Sequence, residues 1–204
     1  MVLKIFFYGM LSAIPAIFVE LGFFHELGKL NLSSYLASFL NVFIGVALTE
    51  ELLKYSIVKI KVLNSSELDE PVDVMLYMII AALGFAALEN LLIFLSSETY
   101  FLEFGETLTL AIFRFISATF LHALTSGTLG YFMAVDFFKA KKRSIFLFLG
   151  FLIVTMLHGL YNFYIIIGEG YSKLIVPTII IIGLAIFVSQ GFKRLKKMAS
   201  VCKV

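Results

Sequence analysis

Tryptophan is absent from this 204-residue sequence, cysteine occurs once, proline occurs three times, and only 15% of the residues are charged. The one thiol, Cys202, lies in a basic tail, so an internal disulfide and a cysteine-rich metal site are both excluded. The net charge is +2, and the basic residues form short clusters rather than a stripe with interleaved aromatic residues. This pattern argues against a nucleic-acid-binding protein.

Apolar residues dominate what is present. Hydrophobic residues make up 61% of the chain, 23 residues are phenylalanine, and the mean hydropathy is +1.01. A soluble domain typically has about 45–50% apolar and about 25% charged residues. The surplus of apolar surface is too large for one core in water, so the expected surroundings of the chain are a lipid bilayer.

Six segments are long and apolar enough to cross a bilayer, which takes roughly 20 residues. They cover approximately 3–24, 35–60, 72–96, 107–138, 144–168 and 173–192. The first is interpreted as a spanning helix rather than a cleaved signal peptide, because its apolar run exceeds the roughly 7–15 residues of a signal. The connections are short and no internal repeat is evident. The sequence therefore predicts one all-α transmembrane domain over residues 1–204, a six-helix bundle.

Lysine and arginine collect at one end of the predicted bundle, which sets its expected orientation through the positive-inside rule. That end holds Lys4, Lys59, Lys61, Lys139, Lys141, Lys142, Arg143, Lys193, Arg194, Lys196 and Lys197. The opposite connections hold His25, Glu26, Lys29, Glu98, Glu103, Glu106, Glu169 and Lys173. With six crossings, both termini are expected to face the cytoplasm.

Polar side chains occur well inside four consecutive predicted spans, where a charge costs about 2.5–3.5 kcal/mol even on insertion scales. They are Glu50, Glu51 and Lys54 in the second span, Glu89 and Asn90 in the third, Arg114 and His122 in the fourth, and His158 and Asn162 in the fifth. Any one of them alone fits an ion network that joins helices. The whole set is too costly for that purpose in so small a bundle and predicts a functional site.

Helical spacing predicts which of these groups share a face. Glu50 and Lys54 are four residues apart and stack on one side, whereas Glu51 is rotated by about 100° toward another neighbour. Lys54 and Arg114 are expected to be counter-ions of the carboxylates. Counting residues from the cytoplasmic helix ends places Glu89 about 12 Å deeper than Glu50 unless a tilt or kink closes the gap.

Other polar or small residues are expected to have no part in the site. Glu20 and His25 lie near the predicted outer end of the first span, where a polar head can reach water. Ser126, Gly127 and Gly130 in the fourth span are small residues of the kind that let membrane helices approach closely.

Carboxylates and imidazoles in a semi-enclosed cavity suit the activation of water. A glutamate takes the proton of the water, while histidine and asparagine stabilise the oxyanion of the attacked carbonyl. Two histidines with one or two glutamates are also the ligand types of a zinc site with an open position for water. The sequence lacks HExxH, so spacing alone gives little support to a metal, and it lacks GxSxG, which disfavours a serine nucleophile.

The polar motifs resemble those of the PrsW family of intramembrane proteases. Residues 50–54, EELLK, are similar to the EExxK motif of that family, and residues 84–90, GFAALEN, are similar to its GFAxxEN segment. Arg114 with His122 resembles the third motif region, and residues 158–162, HGLYN, resemble the final HxxxN. The ordered set lies on separate helices and covers most of the chain.

Two further details accompany the resemblance. Asp73 stands in a PVD sequence similar to the one that commonly precedes the third helix of the family. The related CAAX-processing and bacteriocin-maturation proteases usually have EExxxR and FxxxH, whereas here Lys54 stands one position earlier and Glu89 replaces the histidine. These departures favour the PrsW family over a prenyl-protein protease.

The resemblance implies proteolysis of a membrane-anchored protein in a prokaryotic plasma membrane. Some family members cut a membrane-anchored anti-sigma factor, so such a factor is an implied partner. In the implied mechanism Glu50 or Glu51 activates water, and His122, His158 and Asn162 position it and stabilise the oxyanion. Glutamate catalysis that requires no cofactor is the favoured interpretation.

Alternatives stay open. The family has also been classed as a metallopeptidase, so a divalent metal such as zinc is the second interpretation. The candidate ligands, which are also candidate catalytic residues, are Glu50, Glu51, Glu89, His122 and His158. A proton- or ion-coupled carrier would use the same groups as a relay, but carriers commonly show internal repeats and broken helices. A non-catalytic membrane binder of the same fold is the third class.

Overall fold

The computed structural model describes residues 1–65, 68–95, 103–138 and 144–198, and all regular structure within these ranges is helical. The elements are α1 (Val2–Gly28), α2 (Ser34–Leu40), a π-helical segment (Asn41–Leu48), α3 (Thr49–Lys61), α4 (Pro71–Phe94), α5 (Phe104–Phe138), α6 (Ile145–Ile167) and α7 (Ser172–Leu195). The basic cluster at 139–143, Glu98 and Cys202 lie outside the described residues.

Six helices in the described ranges are long and apolar enough to cross a membrane, which confirms the predicted all-α bundle of six spans. The second span, Ser34–Lys61, consists of α2, the π-helical segment and α3 without a break. The helix ends differ from the predicted ones by a few residues. One of these shifts affects the site, because α1 continues to Gly28; α5 begins at Phe104 and runs for 35 residues.

The start of α4 is fixed by local chemistry. Pro71 occupies the first turn, where its missing N–H is not needed. The Asp73 carboxylate accepts hydrogen bonds from the backbone N–H groups of Asp69 (3.1 Å) and Glu70 (2.8 Å), which satisfies donors that the helix itself leaves unpaired. The PVD sequence is thus an N-terminal capping signal.

The termini of several helices meet at one end of the bundle. Ile5 of α1, Val58 of α3 and Leu195 of α7 belong to the same buried apolar cluster. The Lys61 ammonium lies 4.9 Å from the centre of the Tyr8 ring, which also brings the end of α3 beside the start of α1. The basic residues at the start of α1 and at the ends of α3 and α7 therefore share one end, while the assignment of that end to the cytoplasm stays a prediction.

Glycines allow α1 and α4 to pack backbone to backbone. A Cβ atom added to Gly84 would overlap the carbonyl oxygen of Phe6, and one added to Gly9 would overlap the carbonyl of Ala81. Lipid provides no hydrophobic drive for helix pairing, so such close contact supplies the van der Waals energy that holds the two helices together. This pairing fixes the N-terminal half of α1 against α4.

The π-helical segment lies immediately before the Glu50–Glu51 pair. Its i→i+5 geometry widens the helix for two turns, and Thr49 closes the segment by donating its hydroxyl hydrogen bond to the carbonyl of Ile44 at 3.3 Å. Gly159 of α6 faces the ring of Phe43, and a Cβ atom at Gly159 would lie 2.5 Å from that ring. The segment thus rests on the helix that carries His158.

Candidate active site

Glu51 accepts more hydrogen bonds than any other side chain described in the site. Its Oε1 atom accepts from Lys54 Nζ at 2.8 Å, from the Thr125 hydroxyl at 2.9 Å and from His158 Nδ1 at 3.1 Å. Its Oε2 atom accepts from the Ser126 hydroxyl at 2.9 Å. Both oxygens are engaged and the residue is 0% exposed, so Glu51 joins α3, α5 and α6.

Lys54 lies between the two adjacent carboxylates. Its ammonium is 2.8 Å from Glu51, 3.4 Å from Glu50 and 3.0 Å from Nδ1 of His122. It also lies 4.8 Å from the centre of the Phe85 ring. Three acceptors for its three N–H groups satisfy a cation that has no contact with solvent.

The two histidines meet edge to face, with ring centres 5.2 Å apart. Each has a carboxylate beside one ring nitrogen: Glu51 lies 3.1 Å from Nδ1 of His158, and Glu89 lies 2.7 Å from Nε2 of His122. The other nitrogen of each ring faces Glu50, at 3.8 Å for His158 Nε2 and 3.4 Å for His122 Nδ1. Because an ionised carboxylate only accepts, the protonated nitrogens are assigned to the Glu51 and Glu89 sides.

Glu89 is held by a chain of polar contacts on α4 and α5. Arg114 donates from Nη2 to Glu89 Oε1 at 2.9 Å and from Nε to Asn90 Oδ1 at 2.9 Å. The Asn90 amide donates in turn to the Thr119 hydroxyl at 3.1 Å. The second carboxylate oxygen, Glu89 Oε2, is buried and close to His122, although the two are not aligned as a hydrogen bond.

The predicted depth difference between Glu50 and Glu89 does not separate them in the structure. Both carboxylates lie beside His122, at 3.4 and 2.7 Å. Counting residues from helix ends assumes that two helices stand upright and level. It also ignores the reach of the side chains, which here meet at one imidazole ring, and the π-helical segment, which changes the rise of the second span just before Glu50.

A cavity of about 140 Å³ opens beside these residues and is bounded by α1, the second span, α4, α5 and α6. Its polar wall consists of Glu20, Glu50, Glu89, Arg114, Ser117, His122, Tyr161 and Asn162. Glu51, Lys54 and His158 do not line the cavity and lie behind Glu50 and His122. Glu50 and His122 can therefore contact a ligand in the cavity, whereas the residues behind them hold these two side chains in position.

Five site residues were not expected from the sequence: Ser117 and Tyr161 on the cavity wall, and Glu20, Thr125 and Ser126. Glu20 was expected to reach water at the outer helix end, but α1 extends to Gly28, so Glu20 lies two turns inside and lines the cavity. Thr125 and Ser126 donate to Glu51, whereas Ser126 was interpreted as a packing residue only. An isolated acid inside an apolar run was the signal that could have identified Glu20; the four hydroxyls carried no comparable signal.

A divalent metal fits the donor chemistry of the site. In the described part of the chain, Glu50, His122 and His158 each offer a ligand atom within 4.8 Å of the others. Two imidazoles and a carboxylate are a donor set of catalytic zinc sites. Glu51 and Glu89 stand beside the far nitrogens of the two rings, the arrangement that orients metal-binding histidines.

The carboxylates around the cavity outnumber the cations, which also favours a bound cation. Four carboxylates, Glu20, Glu50, Glu51 and Glu89, face two permanent cations, Lys54 and Arg114. An excess of negative charge inside a bundle surrounded by lipid is costly unless protons or a bound cation neutralise it. A divalent ion matches the difference.

Comparison with known proteins gives one family. The model described as "PrsW family intramembrane metalloprotease" matches residues 1–189. The Protease PrsW of Geobacillus kaustophilus is 32% identical over 171 residues, which are 84% of this chain and 69% of that protein. The Protease PrsW of Bacillus subtilis is 28% identical over 202 residues, 98% of this chain and 84% of that protein. No solved structure matches the chain.

Proposed function

Because this chain belongs to the PrsW family of intramembrane proteases, we propose that it hydrolyses a peptide bond of a membrane-anchored protein in the cavity between its helices. The observation that carries the proposal is the placement of Glu50 and His122 on the cavity wall. Both are 3% exposed and are backed by buried Glu51, Lys54 and His158. Such a site keeps water and its activating groups together inside an apolar bundle.

Glu50, His122 and His158 are the residues that would hold a divalent metal. A metal bound there would make water a nucleophile at neutral pH and polarise the scissile carbonyl. Glu51 and Glu89 would then keep the two imidazoles in the orientation and protonation that binding requires.

The other residues of the cavity suit the movement of protons and the binding of the carbonyl. Glu89 lines the cavity beside His122, and its carboxylate is assigned as the acceptor of the proton of the attacking water. As the hydroxide oxygen bonds to the carbonyl carbon and the C–N bond breaks, the same proton passes to the leaving nitrogen. The Asn162 amide lines the cavity and is assigned as a donor to the carbonyl oxygen.

Metal-free glutamate catalysis is the second candidate, and the position of Lys54 favours it. The ammonium lies 3.0 Å from the His122 nitrogen that a metal would use and 3.4 Å from Glu50. In this mechanism Lys54 supplies the local positive charge and Glu50 accepts the proton of the water. The sequence alone favoured this version; the donor set, the charge balance and the family description shift the preference to a metal.

The same proposal extends to the natural substrate and to the membrane in which the protein lies. A membrane-anchored anti-sigma factor, the partner implied by the resemblance, is the first natural substrate to test. The clustered basic residues at one end support a bacterial plasma-membrane protein with both termini in the cytoplasm.

The test is a cleavage assay of the purified chain in detergent against single-span peptides, with mass spectrometry of the products. The wild type and Glu106→Gln, which removes an exposed acid, are expected to produce the same fragments. Glu50→Gln is expected to lower the rate by at least a thousandfold, the scale of a lost catalytic group. Equal cleavage by Glu50→Gln and the wild type would overturn the proposal.

A further inference from the structure

Glu20 is the acid of the cavity wall that the proposed mechanism does not use. It comes from α1, a helix that contributes no other ionisable group to the cavity, and it is half-buried. Among the described residues, no hydrogen bond or ion pair reaches its carboxylate. The two cations of the site are engaged elsewhere, Lys54 with Glu51 at 2.8 Å and Arg114 with Glu89 at 2.9 Å.

The described surroundings of Glu20 offer its carboxylate no hydrogen-bond or ion-pair partner. It lies eight residues before the end of α1 at Gly28, about 12 Å inside the helix end. Its neighbours along the cavity wall are Ala13, Ala16 and Ile17 of the same helix, which offer only apolar contact. An acid kept at this depth without a partner costs free energy in the empty protein, so a ligand that pairs with it would recover that cost.

Glu20 is not one of the proposed metal ligands. The group formed by Glu50, His122 and His158 does not include it. Its carboxylate nevertheless faces the same cavity of about 140 Å³. A ligand held at Glu20 is therefore a neighbour of the reacting bond rather than the reacting group.

We propose that Glu20 binds a cationic side chain of the substrate, lysine or arginine, next to the scissile bond, so that the protease selects membrane-anchored segments with a basic residue there. The inference rests on the proposed proteolysis. Among peptide side chains, only the lysine ammonium and the arginine guanidinium donate several charge-assisted hydrogen bonds from a permanent cation. Their long apolar stems pass along apolar walls such as those of Ala13, Ala16 and Ile17.

Charge also favours a basic side chain over a neutral or acidic one at Glu20. Lys54 and Arg114 are paired with Glu51 and Glu89, so an acidic substrate side chain beside Glu20 is repelled and a neutral one leaves Glu20 unpaired. A bound basic residue pairs with Glu20 without displacing Lys54 or Arg114 from their partners. The Glu20 side chain alone therefore discriminates against neutral and acidic substrate residues.

The experiment compares single-span peptides that differ only at the residue beside the mapped scissile bond: arginine, glutamine or glutamate. The wild type is expected to cleave the arginine peptide with a kcat/KM about tenfold above that of the glutamine peptide. Glu20→Gln is expected to reduce this ratio to about one, and Glu20→Lys to favour the glutamate peptide. Glu26→Gln, an exposed acid on the same helix, is the matched control and should keep the wild-type ratio.

Binding provides a readout that does not depend on turnover. The protein has no tryptophan, so a tryptophan in each peptide reports association without background. In the Glu50→Gln background, the arginine peptide is expected to bind about tenfold more tightly than the glutamine peptide, and Glu20→Gln should remove the difference. A ratio of one in the wild type, or a ratio unchanged in Glu20→Gln, would overturn the inference.

The two proposals fail differently. Peptides that are cleaved without preference for a basic residue contradict the role of Glu20 and leave proteolysis standing. Peptides that bind with the expected preference while Glu50→Gln cleaves as fast as the wild type contradict the catalytic proposal instead. Thermal unfolding of each variant checks that a lost preference does not reflect a lost fold.

Discussion

Glu51 and His158 lie 3.1 Å apart across the contact of α3 and α6, carboxylate Oε1 to imidazole Nδ1. The contact directs the other ring nitrogen, Nε2, toward Glu50, whose Oε2 atom lies 3.8 Å away. The two glutamates of one motif thus have different surroundings. One is enclosed by donors and orients a histidine, and the other faces the cavity.

Replacing Glu51 by glutamine is expected to destabilise the fold as well as to abolish cleavage. The amide keeps one oxygen toward Lys54 and His158, but it removes the negative charge beside the buried Lys54 ammonium and leaves the Ser126 hydroxyl without its acceptor. Breaking one side of a buried ion pair costs about 3–5 kcal/mol. Thermal unfolding in detergent should show a larger decrease for Glu51→Gln than for Glu50→Gln; equal decreases would contradict the different roles.

Ser126 is expected to affect activity through Glu51. Ser126→Ala removes the donor to Glu51 Oε2 at 2.9 Å and should cost about 1–2 kcal/mol of stability together with a measurable loss of kcat. Thr128→Ala is the control, because its hydroxyl donates only to the carbonyl of Leu124 on its own helix at 2.8 Å. It should keep kcat. A loss of kcat in both variants would show that Ser126 acts only through helix packing.

Arg114 is expected to need the shape of a guanidinium and not only a charge. Its Nη2 and Nε atoms contact Glu89 and Asn90 at the same time, which a lysine ammonium cannot reproduce with that geometry. Arg114→Lys should lower kcat at least tenfold while the metal content stays unchanged. Arg194→Lys, an exposed residue near the end of α7, should have no effect, and full activity of Arg114→Lys would count against the assignment of Glu89 as proton acceptor.

The contact of α1 with α4 is expected to be intolerant of a methyl group. Gly84→Ala places a Cβ atom against the carbonyl of Phe6, and because backbone cannot rotate away, α1 must move. The expected cost is about 1–3 kcal/mol, with loss of the preference attributed to Glu20, since that side chain moves with α1. Gly22→Ala on α1 meets no atom within 4 Å and should leave thermal unfolding and cleavage unchanged.

The sequence predicted the spans and the polar motifs well because both depend on local properties. A charge inside an apolar run is visible in the sequence itself, as with Glu50, His122 and His158. The contacts between helices are different. The meeting of Glu89 and Glu50 at His122 depends on how α4 packs beside a span with a π-helical segment, and the donation by Ser126 depends on which face of α5 meets α3. Neither of these two contacts produces a pattern of residue spacing that can be recognised in the sequence.

Glu20 shows the limit of reasoning from helix ends. An apolar helix has no sharp boundary in the sequence, and the predicted end at residue 24 falls four residues before Gly28. That difference is about 6 Å along the helix axis, which is enough to shift the expected position of a side chain from the cavity to the membrane surface.

The most direct measurement of the central claim is metal content together with cleavage in the same purified samples. The wild type is expected to hold one divalent ion per chain, to lose cleavage with the ion on chelation and to regain it when the ion is returned. Glu50→Gln should lose both ion and cleavage. Glu89→Gln should lose cleavage but keep the ion, because the glutamine oxygen can still accept from the N–H of His122. Full cleavage by a wild-type sample free of metal would contradict the metal site and assign water activation to Glu50 beside Lys54.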